Sequence, residues 1–299
     1  MSMLSTLLSP LAGSVREVLA GKASGDSQIL DQISTPVGEP GWFEPGDAVW
    51  TVHGSVATFL GGIRSLLLQS LHPLALAGVN RHSEYREDPF GRLQRTGAFI
   101  AITTYGSESA AEQAVSGIRR LHGRVNGTLD DGRSYSAGDS RLLMWVHIGL
   151  VDSMLAAYDR YGRSGEIDRD AYVADMAVVG RHMGVLDPPT TVSELNDILN
   201  GFRRELEYTD ETEDMKRFIL DPPLPAALKP GYNVLARAAL DTLPPWVATV
   251  LRERPYGGPA RTMRGLAADT SLRTLALALV KSPAQAAGEQ RLGYVEGYV

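Results

Sequence analysis

The stretch from Asp88 to His122, DPFGRLQRTGAFIAITTYGSESAAEQAVSGIRRLH, decides how this chain is read. Asp88-Pro89 is a helix start: a capping carboxylate, then proline at a first-turn position that needs no backbone N–H. Gly106 stops that helix. Ser107 opens the next, with Glu108 and Glu112 in its first turns, where the helix dipole favours them. On the first helix Arg92, Arg95, Thr96 and Phe99 fall at i, i+3, i+4 and i+7 and share a face. On the second, Arg119 and His122 share a face with Val115, Ile118 and Val125. Cations and an imidazole thus occupy positions that an amphipathic helix normally gives to apolar groups. A buried, unpaired charge is costly, so the pattern predicts an anionic partner. A haem, with its propionates and an open iron position, fits that need.

Working outward, helical signals dominate. Ser9 to Gly21 reads as a short amphipathic helix, and Lys22 to Gly46, rich in Gly, Pro, Ser and Asp, as an exposed connection. Asp47 caps an apolar segment running through Trp50, His53, Phe59 and Ile63 to Leu71, with Gly61-Gly62 as the expected kink. His72-Pro73 ends it, and Leu74 to Arg81 begins another helix. The helix of His122 is expected to end near Gly127, with Asn126-Gly127 as its C-cap, and Asp130 to Gly138 to be a polar loop. Asp139 caps a nearly all-apolar helix that carries Trp145, His147 and Met154 and ends at Gly162. Its flanking charges mark it as a buried central helix rather than a membrane span. Asp168 to Gly184, Ser193 to Tyr208, Tyr232 to Leu243 and Ser271 to Val280 complete the helical segments. No strand pattern and no internal repeat is found. The expected fold is a single all-α domain of roughly ten helices, with residues 1–46 as an N-terminal helix and connection and 47–299 as the main body.

Composition narrows the function. The chain has 299 residues, 43% hydrophobic and 21% charged, the profile of an ordinary globular protein. Its formal net charge of −6 argues against a nucleic-acid partner. Cysteine is absent, which removes disulfides, thiolate nucleophiles, zinc–thiolate and iron–sulfur sites, and thioether-linked haem. Met1 to Ala20 lacks the pattern of a secretory signal, so a cytoplasmic location and no transmembrane segment are expected. A homodimer is compatible with this reading.

Six residues stand out. His122 is the leading metal ligand, because Arg119 lies one turn back and a second arginine pair lies on the preceding helix. His147 is the rival, on a face with Leu143, Leu150, Val151 and Met154. Each imidazole could equally be a satisfied core residue. Arg92, Arg95 and Thr96 could be a solvated face paired with Glu84, Glu87 and Asp88, but they run straight into the apolar segment Gly97 to Ile102, at the mouth of a buried helix. Guanidinium forks suit carboxylates such as propionates. Paired-carboxylate metal motifs, a nucleophile elbow and a dinucleotide fingerprint are all lacking. His53, His72, His82 and His182 look isolated.

Taken together, Asp47-Ala48-Val49-Trp50, Leu71-His72-Pro73, Tyr85 to Thr96, Arg119-Arg120-Leu121-His122, Trp145-Val146-His147 and Asp187-Pro188-Pro189-Thr190-Thr191 occur in an order that resembles the rubber oxygenase (latex clearing protein) catalytic-domain family. That family includes a fungal ER-bound oxygenase that cleaves a prenyl side chain. The resemblance implies a globin-like all-α fold holding a b-type haem. The family's Arg-x-x-His motif falls on Arg119 and His122, making His122 the axial iron ligand. Its Arg-x-x-Lys-Thr motif falls on Arg92, Arg95 and Thr96, with Arg95 in place of the lysine. Arginine stays protonated and is a poor iron ligand, so Arg95 is expected to donate hydrogen bonds to dioxygen or a propionate. Glu84 is the nearest counterpart of the family's catalytic carboxylate. The resemblance implies a haem-b-dependent oxygenase that uses O₂ on a small apolar or prenylated substrate. The alternatives are a haem-binding sensor or carrier without turnover, and a cofactor-free helical protein that binds an acidic lipid or metabolite through Arg92, Arg95 and Arg119.

Overall fold

The structure is a computed structural model that describes residues 23–162, 165–226, 228–253, 259–278 and 282–293. The helix expected at Ser9 to Gly21 lies outside the described residues. Fourteen α-helices are present among those described: α1 Ala23–Ser34, α2 Ala48–Gly54, α3 Ala57–Gln69, α4 Pro73–His82, α5 Pro89–Tyr105, α6 Glu108–His122, α7 Ser140–Tyr161, α8 Arg169–Met183, α9 Val192–Gly201, α10 Asp210–Leu220, α11 Lys229–Thr242, α12 Pro245–Val250, α13 Pro259–Ala278 and α14 Pro283–Arg291. A short 3₁₀ turn, Phe202–Glu205, follows α9. The all-α expectation holds, with more and shorter helices than the ten expected.

Many helix starts are where the sequence puts them, because each has a side-chain oxygen to take an orphan N–H. Asp88 accepts from Gly91 N, Ser107 from Ala110 N, Asp139 from Arg141 and Leu142 N, and Asp168 from Asp170 and Ala171 N. Helix α8 ends at Gly184, whose φ of 95° is the left-handed conformation of a C-terminal cap.

The centre of the molecule is α7, and α3 lies antiparallel along it. Trp145 Nε1 donates to Gln69 O at one end of the crossing. Further along, Gly61 meets Met154: a Cβ on Gly61 would lie 2.7 Å from the Met154 sulfur and 3.2 Å from its Cα. Next to this contact Arg64 is fully buried and satisfied. Its Nη1 reaches Asp152 Oδ2 at 2.6 Å and Ser153 Oγ at 2.7 Å, and its Nε donates to Thr242 O of α11. By length and composition α7 could cross a membrane, but most of it is buried inside this fold.

Four expectations are corrected. The apolar segment after Asp47 divides at Ser55 rather than at Gly61-Gly62. Ser55 adopts an extended backbone and its Oγ accepts from Ala57 N, restarting the chain as α3. Gly61 serves the close crossing with α7 instead. The segment Lys22 to Gly46 is not a bare connection: it contains α1, and Ile33 and Phe43 are buried in the core. The helix of His122 stops at His122, and Asn126-Gly127 starts a hairpin, not a cap. Strand β1, Asn126–Thr128, pairs antiparallel with β2, Ser134–Ser136, with Gly127 opposite Tyr135. A Cβ on Gly127 would lie 2.5 Å from the Tyr135 hydroxyl, so glycine is needed for the buried tyrosine to cross it. Finally, α10 was not anticipated. It is held by a reciprocal cap between Thr209 and Thr212, a pair that departs from the usual Ser/Thr-x-x-Glu pattern.

The two neighbouring glycines of α3 separate two effects. Gly61→Ala should destabilise the protein by about 1–3 kcal/mol through overpacking against Met154. Gly62→Ala should stabilise it by up to about 1 kcal/mol, since alanine is the better helix former and its Cβ would meet nothing within 4 Å. Urea unfolding midpoints of the two variants measure both.

Candidate functional site

Helices α5 and α6 form an antiparallel pair that packs on α2 and α8 but does not pack extensively on α3 or α7. Helices α5, α3 and α7 each carry a row of part-exposed, mostly apolar positions. On α5 the row is Leu93, Gly97 and Ile100 at i, i+4 and i+7, and it ends at the buried Thr104. On α3 it is Thr58, Gly62, Leu66 and Gln69, and on α7 it is Leu143, Val146 and Leu150. Leu66, Leu93 and Val146 are 43%, 44% and 42% exposed, unusual for leucine and valine on helices of this core. Gly62 and Gly97 sit inside helices, where glycine costs roughly 1 kcal/mol relative to alanine. A Cβ on either would meet no atom within 4 Å. Glycine is therefore not required by a neighbour within the chain at these points.

Thr104, at the end of the α5 row, belongs to a hydrogen-bonded chain that sequence reading missed. His53 Nδ1 lies 2.8 Å from Thr104 Oγ1, and His53 Nε2 lies 3.2 Å from Tyr172 Oη. Thr104 Oγ1 donates to Ile100 O, so it accepts from Nδ1–H, and Nε2 accepts from Tyr172. This assigns a neutral imidazole. Burial pushes its pKa down to about 4. Three residues along α8 from Tyr172, Asp175 Oδ2 accepts from Val49 N and caps α2 in place of Asp47, whose carboxylate instead receives Glu44 N. Burial, opposed by the Val49 bond and reinforced by the nearby Asp47 charge, pushes Asp175 up to about 6. His53 is far in sequence from Tyr172 and Asp175, and only the i, i+3 spacing of the latter two on one helix could have hinted at them.

The residues expected to act are placed as follows. His122 lies on the face of Ala111, Val115 and Ile118, half-buried and without a hydrogen bond among the described residues. Burial lowers its pKa, so it is neutral at pH 7. Arg119, one turn back, is exposed and donates to His182 O at the C-terminus of α8, 3.0 Å away. Arg92 is half-buried and donates to Ser83 Oγ. Burial and the neighbouring Arg95 charge both lower its pKa. Arg95 is exposed and pairs with Asp88 at 3.2 Å, and Thr96 is exposed with its hydroxyl bonded to Arg92 O. Glu84 is exposed. The expectation that the cations point into a core is therefore corrected for Arg95 and Arg119. Both side chains lie at the surface instead of facing a packed interior.

His147 behaves differently from His122. It is 8% exposed, and the edge of its ring that carries both nitrogens is turned onto Gly180, where a Cβ would lie 2.9 Å from Cε1. Its Nε2 has no hydrogen-bond partner, and burial lowers its pKa to about 4. Of the two rival imidazoles, His122 is the less buried. Among the described residues, no three His, Asp or Glu side chains are grouped to hold a bare metal ion.

Comparison with known proteins now bears on this geometry. The profile of the family described as "ER-bound oxygenase mpaB/B'/Rubber oxygenase, catalytic domain" matches residues 50–272, most of the chain. The chain belongs to this family. The matched segment takes in all three rows and His53, His122 and His147, so the oxygenase catalytic-domain family is the frame for them. Among curated proteins, "Uncharacterized protein Mb2261" of Mycobacterium bovis and "Uncharacterized protein Rv2237" of Mycobacterium tuberculosis are each 28% identical over 109 residues. That alignment spans 35% of this chain and 43% of each relative, less than half of either. No solved structure matches.

The buried titratable groups give a pH signature. His53 and His147 are held neutral, with pKa values lowered from 6.5 to about 4, so the unfolded chain binds more protons in that window. Their contribution is fully present above pH 6.5 and is lost as pH falls toward 4. Asp175 acts in the opposite sense: raised from 3.8 to about 6, it favours the folded state most when protonated and lowers stability as pH rises through that range. Asp175→Asn should raise the melting temperature at pH 7–8 and leave it nearly unchanged near pH 4. Its melting curve should therefore fall more steeply on acidification than that of the wild type.

Proposed function

We propose that this chain is a haem-b-dependent oxygenase that uses O₂ on an apolar, alkene-containing substrate. The observation that carries the proposal is His122: a neutral, half-buried imidazole with no partner of its own, on the helix paired with α5, whose part-exposed apolar row would form, with those of α3 and α7, the walls of a cleft. The donor chemistry fits a haem. A neutral ring nitrogen is the form that binds iron, and the cleft walls are Leu, Ile and Val with open glycines where a flat macrocycle would pass close to the backbone. His122 would hold the iron, Gly62 and Gly97 would leave room for the ring, and Arg92 would face a propionate. When bound, haem supplies an iron centre at which dioxygen is activated.

The remaining work falls to the chain's own side chains. The stripes Leu93–Ile100 and Leu143–Leu150 exclude water and orient an apolar substrate along the cleft. Arg95, fixed in charge and tethered to an exposed carboxylate at 3.2 Å, would be able to swing and donate hydrogen bonds to an oxygen that gains negative charge at the mouth of the cleft. Thr96, on the same turn, adds a hydroxyl at the same mouth. His53 and Thr104 form the polar floor, and their hydrogen bonds to Tyr172 and Ile100 O keep that floor from hydrating the cleft.

The test is an absorption spectrum of protein expressed with a haem precursor, then reduced and exposed to carbon monoxide. The wild type and His147→Ala should show a Soret band, and His122→Ala should lose it. A wild type without a Soret band, or a His122→Ala variant that keeps it, ends the proposal. Gly97→Leu should fold normally yet release haem at least tenfold faster to apomyoglobin. Arg95→Ala should keep its haem but consume dioxygen with an alkene about a hundredfold more slowly, the usual cost of removing one donor to developing charge. Dioxygen uptake also separates turnover from simple storage of the gas.

A further inference from the structure

The C-termini of α6 and α8 meet at the bond from Arg119 to His182 O, and the exposed residues of the two segments that end there are of unusual composition. Between Ser116 and Val125 lie Arg119, Arg120 and Arg124, and between Arg181 and Asp187 lies Arg181; all four are exposed. None forms an ion pair among the described residues. Arg119 bonds a carbonyl, and Arg120 donates to Ser116 Oγ at 2.7 Å. One carboxylate, Asp187, lies in these two segments, against four guanidinium groups, on a chain of net charge −6. Two leucines stand among them: Leu121 is 55% exposed and Leu186 is 68% exposed.

Helix dipoles account for arginines in a last turn, but not for leucines held in water beside them. A dissolved anion would engage the guanidinium groups and leave Leu121 and Leu186 wet. A nucleic acid would do the same. A bilayer with anionic headgroups uses both: phosphates meet the arginines, and the leucine side chains enter the boundary between headgroups and acyl chains. We propose that the junction of α6 and α8 docks this protein on an anionic lipid surface. The inference does not depend on haem, because none of its residues needs the cofactor to be exposed.

Co-sedimentation with vesicles tests it. The full chain should pellet with vesicles of phosphatidylcholine and phosphatidylglycerol at 70:30, at least fivefold more than with phosphatidylcholine alone, and 0.5 M NaCl should release it. Arg120→Glu with Arg124→Glu, and separately Leu121→Ser with Leu186→Ser, should each cut the pelleted fraction at least fivefold with unchanged circular dichroism. Loss in the charge pair but not in the leucine pair would overturn the docking mode in favour of simple charge attraction. No binding of the wild type to either vesicle would overturn the proposal and leave the patch to an acidic protein. Binding to soluble inositol hexakisphosphate without binding to vesicles would overturn it in favour of a dissolved polyanion. None of these outcomes touches the Soret band, so the two proposals fail separately.

Discussion

A helix as apolar as Ser140–Tyr161 has to be covered on nearly every side, and the fold is organised around that need. Helix α3 covers one side by crossing so closely that Gly61 must be glycine. Helix α8 covers another, with Gly180 admitting the His147 ring. What remains uncovered is the narrow stripe Leu143, Val146 and Leu150. Leaving such a stripe open costs roughly 25 cal/mol for each Å² of apolar surface kept in water. The paired helices α5 and α6, which would be the natural cover, are instead held away by their attachment elsewhere. Thr104 is tied to His53. The turn between them is gripped by the buried Arg291, which donates to Glu39 O and to the carbonyls of Tyr105 and Gly106. The cleft thus follows from where the α5–α6 pair is anchored, not from any shortage of apolar residues to fill it.

Much of this could be read from the chain before its structure. Asp88, Ser107, Asp139 and Asp168 start their helices as expected because capping is local: the acceptor and the N–H it satisfies lie within three residues of each other. Membership of the oxygenase catalytic-domain family was legible too, since it rests on short motifs in a fixed order. The errors have a common cause. Gly61-Gly62 looked like a kink, Asn126-Gly127 like a helix cap, and Lys22 to Gly46 like a loop, yet each is decided by a residue far away in sequence: Met154, Tyr135, and the core that receives Ile33 and Phe43. Glycine in a sequence says only that a side chain is missing. Whether the reason is a turn, a crossing helix or an open space is a tertiary fact.

The candidate site divides along the same line. Helical arithmetic placed Arg92, Arg95 and Thr96 on one turn and Arg119 with His122 on another, and those groupings hold. It could not say whether those faces were buried, because an amphipathic pattern identifies a face without identifying what it meets. Arg119 reaches the end of α8 rather than the cleft centre, and His182, which stacks on Trp42 at 4.1 Å, lends that carbonyl a fixed position. The effect is to hold α6 against α8 at the turn from which His122 projects. A residue first read as a partner for an anionic cofactor is seen to fix the imidazole's helix. The polar floor formed by His53, Thr104 and Tyr172 left almost no trace in the sequence, since its three members come from three helices.

Position along α6 connects the cleft to the surface patch. The α5–α6 turn at Gly106 lies at the closed end, under the Arg291 clasp and near the His53 floor. His122 ends α6, fifteen residues further on in the helix Glu108–His122, so the imidazole belongs to the open end. Leu121 and Arg120 immediately precede it, and Arg119 joins it to α8. On the two proposals together, the exposed leucines and arginines would lie at the same end of α6 as the iron ligand. On the docking proposal, an apolar molecule would leave a bilayer and enter the cleft between Leu93 and Val146 without crossing water. Its transfer would then be limited by the size of the opening rather than by its solubility.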